Sequence, residues 1–299
     1  MKLSEKLKPA LLVSESFFPL LEDEPRLMDT IERVVESGFY TRLEISAMKT
    51  PQGQRRLGRI AQRHHLKITQ WITNDLNVLQ LNPSTVDANL RRRTIETMEE
   101  LVEVAAASGA DRVAFISCKD PGPALRSEAA KGLTEVMCTV ADKAKRCGEI
   151  TLLLEPLDRG AHKDNFIGPT PEAVDLLRQV HRSCQNVLLS WDSAHVALNR
   201  ENVLESLALA MPYVGQVHLA NAVLDREAPG FGDWHMAMGA PGFLTADVAY
   251  DIARCAAQHL PAGKTLGITI ESRSESEAVM MDNEAGNRAF LAQVLEREE

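Results

Sequence analysis

The sequence predicts a (β/α)8 barrel. Eight short apolar runs alternate with eight longer stretches of helical periodicity from end to end. The runs are apolar throughout rather than at every second residue, as strands buried on both faces of a parallel sheet are. The chain has 299 residues, which suits one barrel of about 250 residues with extended loops. No break in composition marks a second unit, so residues 1–299 read as a single domain. Eight units fit a closed barrel better than an open doubly wound sheet, and no GxGxxG follows a strand to suggest a dinucleotide site.

The elements follow in order. Ala10–Ser16 is the first predicted strand, and Pro25–Ser37 follows with Leu27, Met28, Ile31, Val34 and Val35 on one helical face. Thr41–Ser46 leads to Gln52–His65. Lys67–Thr73 leads to the long amphipathic stretch Ser84–Ser108, which Gly109 stops because glycine accepts the left-handed backbone of a helix end. Asp111–Ser117 precedes Pro123–Cys147, and Thr151–Leu157 precedes Thr170–His181. That last helix starts Thr170-Pro171-Glu172, with threonine at the cap and proline in the first turn. Val187–His195 leads to Glu201–Ala210. After Val214–Asn221 comes a long irregular segment, Ala222 to Phe243, before Thr245–His259. A loop this long in a compact domain usually serves function. Leu266–Ser272 and Glu277–Glu298 complete the eight units.

Composition excludes several classes. Apolar residues make up 44% and charged residues 25%, which describes a globular chain rather than a disordered or fibrous one. A formal charge of −9 opposes a nucleic-acid binder that relies on a general basic field. No apolar run approaches the roughly 18–20 residues of a membrane span, and MKLSEKLKPALLVSE has no apolar stretch long enough for a secretion signal. Cys118, Cys138, Cys147, Cys184 and Cys255 are scattered and form no CxxC pair. They read as reduced thiols of a cytoplasmic protein. Arg91-Arg92-Arg93 and His64-His65 read as solvated helix surface.

Barrel active sites lie at the C-terminal ends of the strands. The fifth predicted strand brings Glu155 there, the sixth Asp192 and His195, the seventh His218, and the eighth Glu271. A buried lone carboxylate costs several kcal/mol, so groups converging at four successive strand ends point to a cation among them. Two glutamates, one aspartate and one histidine form an oxygen-rich set suited to Mn²⁺, Mg²⁺ or Co²⁺, with Zn²⁺ tolerable. The long loop adds Gly232-Asp233-Trp234-His235 and Gly239-Ala240-Pro241-Gly242. Asp233 and His235 are further candidate ligands or substrate contacts, and the glycines let the backbone turn sharply.

These motifs (LLLEPL, WDSAH, QVHLAN, GDWHMAMGAPG and ITIES, in this order) resemble the xylose-isomerase-like barrel superfamily. That group contains sugar isomerases and ketose 3-epimerases, inosose and 3-dehydroshikimate dehydratases, and endonuclease-IV-type apurinic nucleases. The resemblance implies one divalent metal, Mn²⁺ foremost, held by Glu155, Asp192, His218 and Glu271. It implies that His195 contacts a substrate oxygen or binds a further metal. The nuclease version also needs histidines at the third and fourth strand ends, where this chain reads WITND and FISCKD. Asn221 also stands where that pattern usually has aspartate. EPLDR at Glu155–Arg159, followed by Asn165 and Phe166, resembles the sugar-epimerase version of the fifth-strand loop.

The implied function is a divalent-metal-dependent sugar isomerase or epimerase acting on a small ketose or related polyol through an enediolate. Glu155 and Glu271 would be the acid/base pair as well as ligands. His195, Asp233 and His235 would contact substrate, with Arg226 and Glu44 as further candidates. Trp71, Phe17 and Trp191 would form an apolar wall. A metal-dependent dehydratase of the inosose or dehydroshikimate type is the alternative, and an apurinic nuclease a distant third. The expected partner is a small carbohydrate, not nucleic acid or membrane. Homo-oligomers are common among members.

Overall fold

The computed structural model describes residues 2–297. Eight parallel strands close into a barrel in sequence order: β1 (Leu7–Leu12), β2 (Arg42–Ser46), β3 (Lys67–Trp71), β4 (Arg112–Ile116), β5 (Thr151–Glu155), β6 (Val187–Asp192), β7 (Val214–Ala220) and β8 (Leu266–Glu271). β8 pairs back to β1 along Leu7–Leu11. The covering helices are Glu24–Val35, Pro51–Arg63, Ala88–Ala107, Arg126–Gly148, Thr170–Val180, Val203–Ala210, Ala246–His259 and Glu277–Glu296. Glu298, the predicted end of the last helix, lies outside the described residues. No helix among the described residues is long and apolar enough to cross a membrane.

Strand alternation divides the side chains. Leu43, Ile45, Ile68, Val113, Phe115, Leu152, Leu154, Val217, Leu219 and Ile268 join one buried core with Ile31, Leu57, Met98, Leu133, Met137 and Leu177 of the helices. Each such side chain contributes about 1.5–3 kcal/mol relative to exposure. The alternate residues face the barrel axis, where bonds cross between non-adjacent strands. Arg112 of β4 donates to Gln216 of β7, and Gln216 donates to Glu44 of β2. At the lower end Arg42 makes a bidentate pair with Asp111, at 2.6 and 3.0 Å.

Four local features differ from the sequence expectation. The first strand is Leu7–Leu12 rather than Ala10–Ser16, because Val13–Ser16 coils into one helical turn closed by Phe17 N–H on Val13 O at 2.9 Å. The sixth strand stops at Asp192. That carboxylate accepts from the backbone N–H of Ala194 and His195 and caps the short helix Ser193–Leu198, so His195 is helical. Thr170 does not cap its helix, since its hydroxyl pairs with Ser206 at 2.6 Å instead. Arg91 is not simply solvated. It bonds Thr85 O at 3.1 Å and lies 2.9 Å from Glu135, tying two helices together.

A bulge in β7 has a larger consequence. Leu189 pairs with Val214 but Ser190 pairs with Gln216, so Gly215 is the extra residue. A one-residue slip exchanges the faces of a strand. Here it aligns Gln216 with Ser190 and His218 with Asp192. A Cβ at Gly215 would lie 2.8 Å from Leu153 Cδ2, so only glycine fits without movement.

Ser206 also accepts from Trp191 Nε1 at 3.2 Å, linking β6 to two helices through one buried hydroxyl. Ser206→Ala strands both partners without replacing them. The expected loss is about 1–3 kcal/mol, read as a lower urea midpoint with an unchanged slope.

Candidate metal and active site

β5, β6, β7 and β8 carry Glu155, Asp192, His218 and Glu271 to one rim of the barrel. One ligand atom from each lies within 4.8 Å of the others. His218 Nδ1 is 2.7 Å from Glu271 Oε2 and 3.5 Å from Glu155 Oε1. Asp192 divides its work: Oδ1 caps the following helix, while Oδ2 is buried with no hydrogen-bond partner. Glu155 Oε1 is also buried and unpaired. Unpaired buried carboxylate oxygens are costly. Two of them, beside an imidazole and a third carboxylate, are what a hard or borderline divalent cation needs. The donor set fits such an ion.

A second layer of groups surrounds this cluster. His195 Nδ1 is 3.1 Å from Asp158 Oδ2, and its Nε2 is 3.7 Å from Asp233 Oδ2. Asp158 is fully buried and also accepts from His162 and Lys163 backbone N–H. His235 Nε2 is 3.2 Å from Asp233 and 3.4 Å from Glu271, and its Nδ1 is 2.8 Å from Glu15. Lys163 Nζ is 3.1 Å from Asp233 Oδ2. Arg273 grips Glu15 with two bonds of 2.6 and 3.0 Å. His235 holds φ at +51°, the left-handed region that costs a non-glycine residue.

Electrostatics separates the two glutamates. Burial pushes the Glu155 carboxyl up, and the charges of Glu271 and Asp192 add to the push. Burial acts on Glu271 in the same sense, but His235 and His218 beside it win and hold it below its ordinary value. Burial would lower both His195 and His235. Asp192 and Asp158 instead raise His195 to about 9, and Glu271, Asp233 and Glu15 raise His235 to about 11. Asp233 is held far down against burial by His235, His195 and Lys163.

The cluster opens into a cavity of about 740 Å³, within the usual range for small-molecule sites. Phe18, Trp71, Ile116 and Leu157 give it apolar walls, and His195, His235, Lys163 and Arg273 give it polar ones. The structure therefore brings Glu155, Asp192, His218, Glu271, His195, Asp233, His235 and Trp71 together. Four sequence candidates lie outside this group. Arg226 is exposed, bonding Gly160 O at 2.9 Å and stacking 5.5 Å above Phe231, so it points away from the cavity. Phe17 is fully buried, and Trp191 faces the helices. The neighbouring Phe18 supplies the wall. Glu44 is fully buried beneath His218 rather than lining the cavity. Glu15, Asp158, Lys163 and Arg273 are site residues that the sequence pattern does not single out. Asp158 lies within EPLDR, Lys163 in the same loop just before Asn165, and Arg273 two residues past Glu271, which is their only signal in the sequence.

The loop carrying Asp233 and His235 hangs on Asn221. Its amide nitrogen donates to Ala237 O (2.8 Å) and Gly239 O (2.7 Å), and its oxygen accepts from Leu244 N–H (2.8 Å). A Cβ at Gly242 would come within 2.2 Å of that amide. Only a side chain that both donates and accepts satisfies these three groups, which explains asparagine here.

Residues 28–244 match the family described as xylose isomerase-like TIM barrel, and the chain belongs to that family. Among solved structures it is similar to a D-psicose 3-epimerase with D-tagatose from Clostridium cellulolyticum H10 (14% identity, 97% of this chain and 100% of that one, TM-score 0.68). It is also similar to the E. coli 3-keto-D-glucoside 4-epimerase YcjR (15%, 97% and 98%, 0.67). A third similar structure is the IOLI protein with a bound zinc atom (16%, 89% and 92%, 0.68). No curated protein sequence matches the chain.

Asn221→Asp sets a carboxylate against two carbonyl oxygens. We expect a loss of about 2–4 kcal/mol and faster proteolysis within 222–243, checked by denaturant titration and by mapping the first cleavage sites.

Proposed function

We propose that the protein is a divalent-metal-dependent isomerase or epimerase of a small ketose or related polyol. The observation that carries this is the pair Glu155 and Glu271, two carboxylates in one cluster whose surroundings push them in opposite directions. Groups of one type driven apart in this way divide into acid and base.

Glu155, Asp192, His218 and Glu271 would hold the cation, with Mn²⁺ foremost. When bound, that ion supplies Lewis-acid polarisation of a substrate carbonyl, which acidifies the neighbouring C–H. Glu155 and Glu271 reach the rim from strands separated by β6 and β7. One carboxylate takes the proton from carbon to give an enediolate, and the other returns a proton to the opposite face or the adjacent carbon. His195, fixed by Asp158, offers its remaining ring nitrogen to a substrate oxygen. Trp71 and Phe18 cover the sugar's apolar face and limit water. Lys163 and His235, both anchored on Asp233, hold further hydroxyls. The epimerase names among the similar structures support this reading.

Glu155→Gln and Glu271→Gln should each lower kcat by about 10²–10⁴-fold on whichever ketose of a broad panel the parent converts with Mn²⁺. Solvent deuterium should enter the product at the reacting carbon without loss of water. An inactive parent, or a conjugated enone with new ultraviolet absorbance, would overturn the isomerase reading.

Metal binding should also release protons. Glu155, pushed up to about 8 chiefly by burial, keeps its proton at neutral pH until a cation displaces it. Mn²⁺ affinity should therefore rise with pH through neutrality and beyond 8, by roughly tenfold per unit for each proton displaced, since His218, raised well above its ordinary value by Glu44 and Glu271 against burial, must also give up its Nδ1 proton. Titration calorimetry in buffers of different ionisation enthalpy checks this, and an affinity independent of pH below 8 contradicts it.

A further inference from the structure

Glu44 lies on the barrel axis below the cluster and is fully buried. Three donors reach its two oxygens. Gln216 Nε2 bonds Oε1 at 2.5 Å, while Trp71 Nε1 and His218 Nε2 reach Oε2 at 3.1 and 3.0 Å. One step further down, Arg112 Nη1 donates to Gln216 Oε1 at 3.1 Å and to Gly215 O at 2.7 Å. Arginine has donors only, so it fixes which end of the Gln216 amide faces it. The amide nitrogen must then face Glu44. That position receives donors from every side and accepts only a group without an N–H of its own.

We infer that Arg112, Gln216 and Glu44 form a positioning relay that dictates which nitrogen of His218 serves the cation. With Nε2–H committed to Glu44, Nδ1 is left facing Glu271 and Glu155. A ligating histidine takes its tautomer and ring orientation from the partner of its other nitrogen. The same carboxylate pins Trp71, whose ring centroid lies 5.5 Å from that of His218. Glu44 thus sets both a ligand and a cavity wall without touching substrate. The relay rests on the metal-binding reading above.

The test exchanges acceptor and donor along the relay. In E44Q one of the two oxygens becomes an NH₂ group, and at least one of the three donors loses its acceptor. Adding Q216E supplies a new acceptor for both Arg112 and the introduced amide, and the string of bonds is complete again. Mn²⁺ affinity by calorimetry should fall about 10–100-fold in E44Q and recover most of that loss in E44Q/Q216E. In histidine-¹⁵N-labelled, Zn²⁺-loaded protein, His218 should show Nε2–H with metal-bound Nδ1 in the wild type and the double variant, and a changed pattern in E44Q. Thermal melting of all three proteins establishes that they are folded. Equal affinity in E44Q and the wild type, or a folded double variant no better than E44Q, overturns the relay alone. A wild-type protein that binds no divalent ion overturns both the relay and the metal reading. If E44Q does not fold and the double variant folds and binds, the matched string of bonds is supported.

Discussion

The constraint behind the rest of this structure is the crowding of carboxylates at one end of the barrel. Burying an ion costs several kcal/mol unless a partner answers it. Around the rim each charge is answered locally: Glu15 by Arg273 and His235, Asp158 by His195 and two backbone N–H groups, Asp233 by His235 and Lys163. Beneath the rim Glu44 is answered by His218, Gln216 and Trp71. At the centre, buried oxygens of Glu155 and Asp192 have no hydrogen-bond partner. The rim carboxylates are balanced by ion pairs, while the two central oxygens leave a demand for a donor or a cation.

Meeting that demand explains the irregular features of the backbone. The extra residue at Gly215 rotates Gln216 and His218 toward the axis, where Arg112 and Glu44 need them. The left-handed backbone of His235 lets one imidazole face Glu15, Asp233 and Glu271 together. The Asn221 amide pays for the long loop's return, giving it three bonds at the point where it leaves and rejoins the barrel. Strained or irregular positions persist only where their surroundings over-determine them. Here those surroundings are the ion pairs themselves.

The barrel and its central four groups were legible in the sequence for a simple reason. Parallel strands buried on both faces announce themselves as continuous apolar runs, and Glu155, Asp192, His218 and Glu271 interrupt those runs at or near their C-terminal ends. Partners set by loop conformation left no such mark. Glu15 falls near the end of the first predicted strand, Ala10–Ser16, and only the helical turn at Val13–Ser16 swings its carboxylate to the rim. Arg226 looked suited to the cavity by its place in the long loop, yet Phe231 and Gly160 hold it outside. Glu44 was recognised at a strand end, but the periodicity of a single strand cannot tell whether a carboxylate faces a cavity or a histidine on the far side of the barrel.

The inequality of Glu155 and Glu271 follows from that same placement. Glu271 sits on the last strand, where His218 approaches from β7 and His235 from the long loop, and two imidazoles outweigh burial. Glu155 sits on β5 with Leu157 and Ile116 beside it in the cavity wall, and burial prevails. Identical side chains thereby acquire opposite tendencies to hold a proton, with no difference in their own chemistry. In the proposed reaction the direction of proton traffic would then be set by residues outside the pair, above all by the loop that brings His235 in. A change in that loop would alter the balance between acid and base while leaving every central carboxylate in place.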